Sequence, residues 1–305
     1  MSRQPPLPAR AEPRVRIGVS SCLLGFAVRW DGGHKRDAFL TDVLGSRVEW
    51  VPVCPEIEIG LGVPREPIDL VDRNGAIRLV GAKTGIDHTR AMRSYARRRA
   101  AALAKEKLAG YVLKKGSPSC GLAGVKVHRG RNVRSDGTGL FAEALVARFP
   151  DLPVEEEGRL ADPRIQDRWL ERVFAYHALR ALFRRGWTLG DLESFHTAHA
   201  AKIRARSAPA GRRLDRLLER AKKRKPSRVE LRRRYESAFL RALSTLSPRE
   251  TRERGRETHR AGRDAPSGRR VRCSHSARSG MPSPGRRSRD RMPTIPFRGR
   301  GEPDT

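Results

Sequence analysis

Cysteine is scarce in this chain: four in 305 residues, at positions 22, 54, 120 and 273. That is too few and too scattered for a disulfide framework, and it points to a reducing compartment, the cytoplasm, where thiols serve metals or chemistry. No CxxC pair occurs, so zinc-ribbon and thioredoxin-like sites lose their main support. Long apolar runs are missing as well. None approaches the ~20 residues of a membrane span, which predicts a protein without membrane partners. The opening MSRQPPLPARAEPR has charge and proline but no apolar stretch of a secretory signal. Acidic residues are outnumbered, 34 Asp and Glu against 65 Lys and Arg, for a formal net charge of +31. A surplus of that size favours polyanions, with nucleic acid the first candidate; an arginine-rich solvated face is the bland alternative.

What is present falls into segments. Residues 1–13 read as a short disordered leader. Over residues 14–159, short β-like runs end in turn chemistry: RVRIGVSSC leads to Cys22, VEWVPVC to Cys54 and GYVLKKGSPSC to Cys120. DHTRAMRSYARRRAAALAKEKLAG (87–110) predicts a helix stopped by glycine, and TGLFAEALVARF another closed by Pro150. Strands alternating with helices predict an α/β N-terminal domain with a mostly parallel sheet.

Residues 160–247 turn helical and basic, an all-α module. Trp169, Val173, Phe174, His177, Ala181 and Leu182 recur at helical spacing. Leu214, Leu217 and Leu218 mark a second stripe, and Leu231, Tyr235, Phe239 and Leu243 a third. Residues 248–305 are Arg, Ser, Gly and Pro with almost no aliphatic content, which predicts a disordered basic tail. Cys273 lies inside it and is not counted as a ligand.

The other three cysteines share a context. Each sits in a loop dense in Gly, Pro and polar groups, after a predicted strand, and open α/β sheets gather ligands outside the carboxyl ends of their strands. Cys22, Cys54 and Cys120 can therefore converge if their strands are neighbours. Each alone could be a buried inert thiol. Three thiolates with no fourth can bind a cubane iron–sulfur cluster and leave one iron free.

The loops CLLGFAVRWDGGHKRD, VCPEIEIGLGVPREP and KKGSPSCG, in this order, resemble those of the thiouracil desulfidase-like (TudS) family over about residues 15–157. GRLADPRIQDRWLERVFAYHALRALF followed by LESFHTAHAAKI resembles the YbgA-like helical domain fused to it in the longer form, although Ala200 stands where that domain has lysine. The resemblance implies a 4Fe-4S cluster held by Cys22, Cys54 and Cys120, with one iron not bound by protein. It implies hydrolytic removal of sulfur from thiolated uracil as sulfide, with thiouridine in tRNA as the substrate of the fused form.

Within that reading Glu56 is the first candidate for the general base and Glu58 the next. Ser117 and Ser119 are candidates to donate to the substrate or a cluster sulfide, or they shape the turn. Lys35, Arg36, Arg65 and Lys115 are candidates for contact with phosphate or nucleobase, plain salt bridges being the alternative. Two other functions stay open: a non-catalytic nucleic-acid-binding protein with a structural metal, and a desulfidase of free thiouracil whose helices serve stability or oligomerisation.

Overall fold

Two aliphatic runs, β1 (Val15–Ser20) and β2 (Val48–Val53), pair in parallel from Val15 opposite Val48 to Ser20 opposite Val53. The computed structural model describes residues 14–184 and 186–244. On the other side of β1 lies β5 (Gly110–Leu113), and beyond it β8 (Val154–Glu156), giving an all-parallel sheet in the order β2-β1-β5-β8. Ile17, Val19, Tyr111, Val112 and Leu113 are fully buried, as expected of a parallel sheet covered on both faces. The predicted helices are α2 (Thr89–Leu103) and α3 (Leu140–Arg148), which pack against each other. A single turn, α1 (Pro55–Glu58), follows β2 directly.

A second sheet has no counterpart in the sequence reading. It joins two antiparallel hairpins, β3 (Ile68–Arg73) with β4 (Ala76–Gly81) and β6 (Val125–Arg129) with β7 (Asn132–Gly137), through parallel pairing of β3 and β6. Asn74 and Gly75 both take positive φ, the requirement of a tight two-residue hairpin turn. Leu70, Leu79, Val125 and Val127 are buried, whereas β7 is largely exposed.

The helical part comprises α4 (Glu157–Leu160), α5 (Pro163–Arg184), α6 (Leu189–Arg206), α7 (Ala208–Arg224) and α8 (Arg228–Ser244). Thr188 and Asp191 close a capping box at the start of α6, and Ser207 caps α7. Trp169 and Val173 are buried as the periodicity predicts, and so are Leu231, Tyr235, Phe239 and Leu243. Phe174 corrects the reading: it is exposed, and Ala175, Tyr176, Leu179 and Phe183 face the core instead. The helices continue the core of the sheet rather than standing apart. The Trp169 indole N–H donates to the Pro153 carbonyl at 3.1 Å, and a Cβ on Gly110 of β5 would meet Val173 at 2.7 Å. The leader (1–13), the tail (248–305) with Cys273, and the last three residues of the predicted module lie outside the described residues. Among the described residues no helix is long and apolar enough to cross a membrane.

Candidate active site

Because β2, β1 and β5 are neighbours, the segments leaving their carboxyl ends meet. Cys22 lies in a short 3₁₀ turn (Ser21–Leu24) after β1, and its carbonyl accepts from the Lys35 N–H at 2.9 Å. Cys54 is the residue between β2 and α1, with Pro55 starting the turn; its N–H donates to Glu58 at 3.3 Å and its thiol to the Val28 carbonyl at 3.8 Å. Cys120 stands farther out, seven residues past β5, in the loop that leads to β6. All three line one cavity of about 260 Å³.

The Cys120 loop is held from both sides. The Ser117 hydroxyl accepts from the N–H groups of Ser119 and Cys120 at 3.2 and 3.1 Å, and the Ser117 carbonyl from Gly121 at 2.7 Å. The first turn of α3 reads the same loop, with Phe141 N–H donating to the Ser119 carbonyl at 3.0 Å. A Cβ on Gly139 would sit 2.5 Å from that carbonyl, and one on Gly121 would sit 2.9 Å from the Ser117 carbonyl. Glycine at both positions permits this close approach of backbone.

Burial pushes the Cys22 thiol up to about 11, with the neighbouring Cys54 adding to the effect while Lys114 and Arg29 oppose it. Burial likewise raises Cys54, and it raises Cys120 well above the ordinary thiol range although a hydrogen bond with Ser20 works the other way. Such thiols are protonated at neutral pH, which disfavours a free nucleophilic thiolate. A bound metal displaces those protons. Among the described residues no three His, Cys, Asp or Glu side chains are gathered to hold a single metal ion. A polynuclear cluster, with each thiolate on a different iron, takes ligands farther apart than a mononuclear site does, and an all-thiol donor set is the one iron–sulfur clusters use. The three cysteines fit that group.

Around the thiols stands a charged wall. Glu56 pairs with Arg65, whose Nε lies 3.2 Å from the carboxylate, and the Ser117 hydroxyl reaches the other oxygen at 3.5 Å. Arg65 also donates to the carbonyls of Gly62 and Val28 at 2.7 and 3.0 Å. Lys115 is among the residues lining the cavity. Glu58 does not line it; it pairs with Arg99 at 3.2 Å. Ser119 is wholly buried behind the cavity, and its hydroxyl has no partner among the described residues. Lys35 and Arg36 are not brought to the cavity, and Arg36 pairs with Asp42 on the surface. The sequence reading missed Ser20, Arg29, Trp30 and Lys114, which also line it. Lys114 pairs with Glu157 at 2.6 Å. Its place in the KKG run was visible, but the pairing with a carboxylate 43 positions on was not.

Away from this cavity, α7 and α8 enclose a groove of about 600 Å³ lined by Arg213, Arg216, Arg220, Arg224 and Arg234. Glu230, the acid in its lining among the described residues, is taken by Arg234 at 2.7 Å.

Residues 17–157 match the family described as 2-thiouracil desulfurase. The chain is 32% identical over 111 residues to the uncharacterized protein YbbK of Bacillus subtilis (strain 168), covering 34% of this chain and 72% of that one. Among solved structures it resembles the 4Fe-4S-dependent thiouracil desulfidase TudS at 30% identity and a TM-score of 0.41, covering 50% of this chain and 97% of that one.

Proposed function

This chain belongs to the 2-thiouracil desulfurase family, and on that premise we propose that it removes sulfur from thiolated uracil with an iron–sulfur cluster held by Cys22, Cys54 and Cys120. The observation that carries the reading is that the half-buried Cys22 and Cys54, the buried Cys120 and the Glu56 carboxylate all line a single cavity. Bound by three thiolates, a 4Fe-4S cluster supplies an iron without a protein ligand, a Lewis acid for a thiocarbonyl sulfur.

The chain's own residues supply the rest. The Glu56 carboxylate takes a proton from the attacking water, and Arg65 fixes its orientation. The water oxygen adds to the thiocarbonyl carbon; the C–S bond then breaks, sulfur leaves with the bonding pair and water's second proton as hydrosulfide, and a carbonyl replaces the thiocarbonyl. No net oxidation occurs. The Lys114 ammonium, whose charge favours the Cys22 thiolate, also favours the negative charge that develops on sulfur. Ser117 acts at one remove, through the Cys120 loop and Glu56.

Thiouridine within tRNA, rather than the free base, is the substrate we favour. Its support is the cationic groove between α7 and α8, where Arg216, Arg220 and Arg224 have no carboxylate partner among the described residues, together with the net charge of +31.

Anaerobic purification followed by iron and sulfide analysis tests the cluster, with Cys120→Ala expected to lose both iron and sulfide release. A colourless, zinc-loaded wild type overturns it. Sulfide release from thiolated tRNA and from free 2-thiouracil, compared at equal concentration, tests the substrate.

A further inference from the structure

We propose that Trp30 is the platform on which the substrate's ring stacks, so that the site selects flat aromatic thiocarbonyl rings by their π-face. The inference rests on the reading of this cavity as a thiouracil desulfidase site.

Trp30 lines the three-thiol cavity yet is 44% exposed. The other indoles are placed differently: Trp169 and Trp187 are buried in the helical part, and Trp50 is partly buried in β2. Leaving so large an apolar ring in water at a cavity mouth has a cost that a ligand covering it would relieve. Among the described residues the Trp30 ring has neither an aromatic nor a cation–π partner, whereas Trp187 has Phe183 and Arg228.

The backbone that carries the indole is fixed. The Arg65 N–H donates to the Trp30 carbonyl at 2.9 Å, and the Arg65 guanidinium to the Val28 carbonyl at 3.0 Å. The turn closes on itself, with Arg29 N–H to the Gly33 carbonyl at 3.2 Å and Gly32 N–H to the Arg29 carbonyl at 3.0 Å. Asp31 accepts from Gly33 N–H at 3.0 Å and pairs with Arg29. One residue, Arg65, therefore orients the Glu56 carboxylate and anchors the indole's backbone. The general base and the ring platform are held in a fixed relation.

An indole offers a broad face and no acceptor, so it reads a ring's flatness rather than its hydrogen-bonding edge. Base–aromatic stacking of this kind is sequence tolerant and energetically substantial. The edge is left to the polar groups of the cavity, and the sulfur to the thiol side.

The test uses cluster-loaded wild type, Trp30→Ala and Trp30→Phe, each checked for equal iron content. Trp30→Ala is expected to raise KM for 2-thiouracil about tenfold or more with a smaller change in kcat, and Trp30→Phe to restore most of the loss. Uracil, the desulfurised product, is expected to quench indole fluorescence in the wild type and to lose that effect in Trp30→Phe. An unchanged KM in Trp30→Ala, or quenching that persists in Trp30→Phe, overturns the stacking role while leaving the desulfidase reading intact. A wild type with full iron that releases no sulfide from either free or tRNA-borne thiouracil overturns both.

Discussion

The guanidinium of Arg65 and the carboxylate of Glu56 form an ion pair on the wall of the three-thiol cavity, with the two side chains only 6% and 15% exposed. A buried pair is costly to break from one side, because the remaining charge is left without compensation. Arg65→Ala strands the Glu56 carboxylate and frees the carbonyls of Gly62 and Val28. A loss of about 3 kcal/mol in unfolding free energy is expected, measurable by urea denaturation. Glu56→Gln keeps the volume and an acceptor for Arg65 but cannot take a proton. It should fold, retain iron, and lose a factor of about 10² to 10⁴ in kcat; full turnover in this variant removes Glu56 from the role of base.

The raised thiol values make a second expectation. In the metal-free protein, alkylation of Cys22 should be slow at neutral pH and should climb about tenfold per pH unit up to about 11, because only the thiolate reacts. Cys120, raised further and fully buried, should lag behind it. Peptide-resolved mass spectrometry after pulses of iodoacetamide reads both rates. Rapid labelling of Cys22 at pH 7 shows a thiolate already present and restores the nucleophile as a reading.

How far the sequence exposes this site can be traced residue by residue. Cys22 and Cys54 follow β1 and β2 at once, so the strand pattern alone brings them together once the two strands pair. Cys120 is less direct, since six residues separate it from β5 and its place depends on the Ser117 turn and the α3 N-terminus. The second sheet is hidden in the sequence because its strands mix charge with aliphatics: VKVHR and NVRSDG carry a half-buried or largely exposed pattern that reads as loop. The GGHKRD run reads as a loop whose Lys35 and Arg36 face an anion. The chain doubles back there through the Gly32 and Gly33 turn, and Arg36 ends on Asp42 instead. Trp30 is illegible for a related reason: nothing in a lone tryptophan between Arg29 and Asp31 tells which way the turn presents it.

The α7–α8 groove predicts a salt-dependent contact with nucleic acid. Each phosphate neutralised on duplex contributes a slope of about −0.9 in log affinity against log salt, and about −0.7 on a single strand. Changing Arg216, Arg220 and Arg224 together to Gln should weaken tRNA binding and flatten that slope by about two to three units. The release of sulfide from free 2-thiouracil should not change, because the groove contributes no residue to the three-thiol cavity. Filter binding across a salt series gives the slope, and an unaltered slope overturns the groove as the contact.

Three helices of the basic part are tied by one polar side-chain chain. His196 of α6 is buried; its Nδ1 lies 3.0 Å from the Tyr235 hydroxyl on α8, and its Nε2 lies 2.8 Å from Asp215 on α7. Arg204 adds bonds to the same carboxylate at 3.0 and 3.1 Å. Burial works to raise Asp215, but the hydrogen bonds from His196 and Arg204 outweigh it and hold the carboxyl below the ordinary aspartate range. A depressed folded value means that the stabilisation is complete above the unfolded pKa and is lost as pH falls through the folded one. Asp215→Asn should therefore lower Tm at pH 6 and close the gap to the wild type below about pH 4. Tyr235→Phe leaves the buried Nδ1 without a partner and should cost about 1 to 3 kcal/mol at any pH in that range. Thermal unfolding of both variants at pH 6 and pH 3 separates the two effects, and a gap for Asp215→Asn that does not narrow at pH 3 rules out the carboxylate as the element that ties the helices.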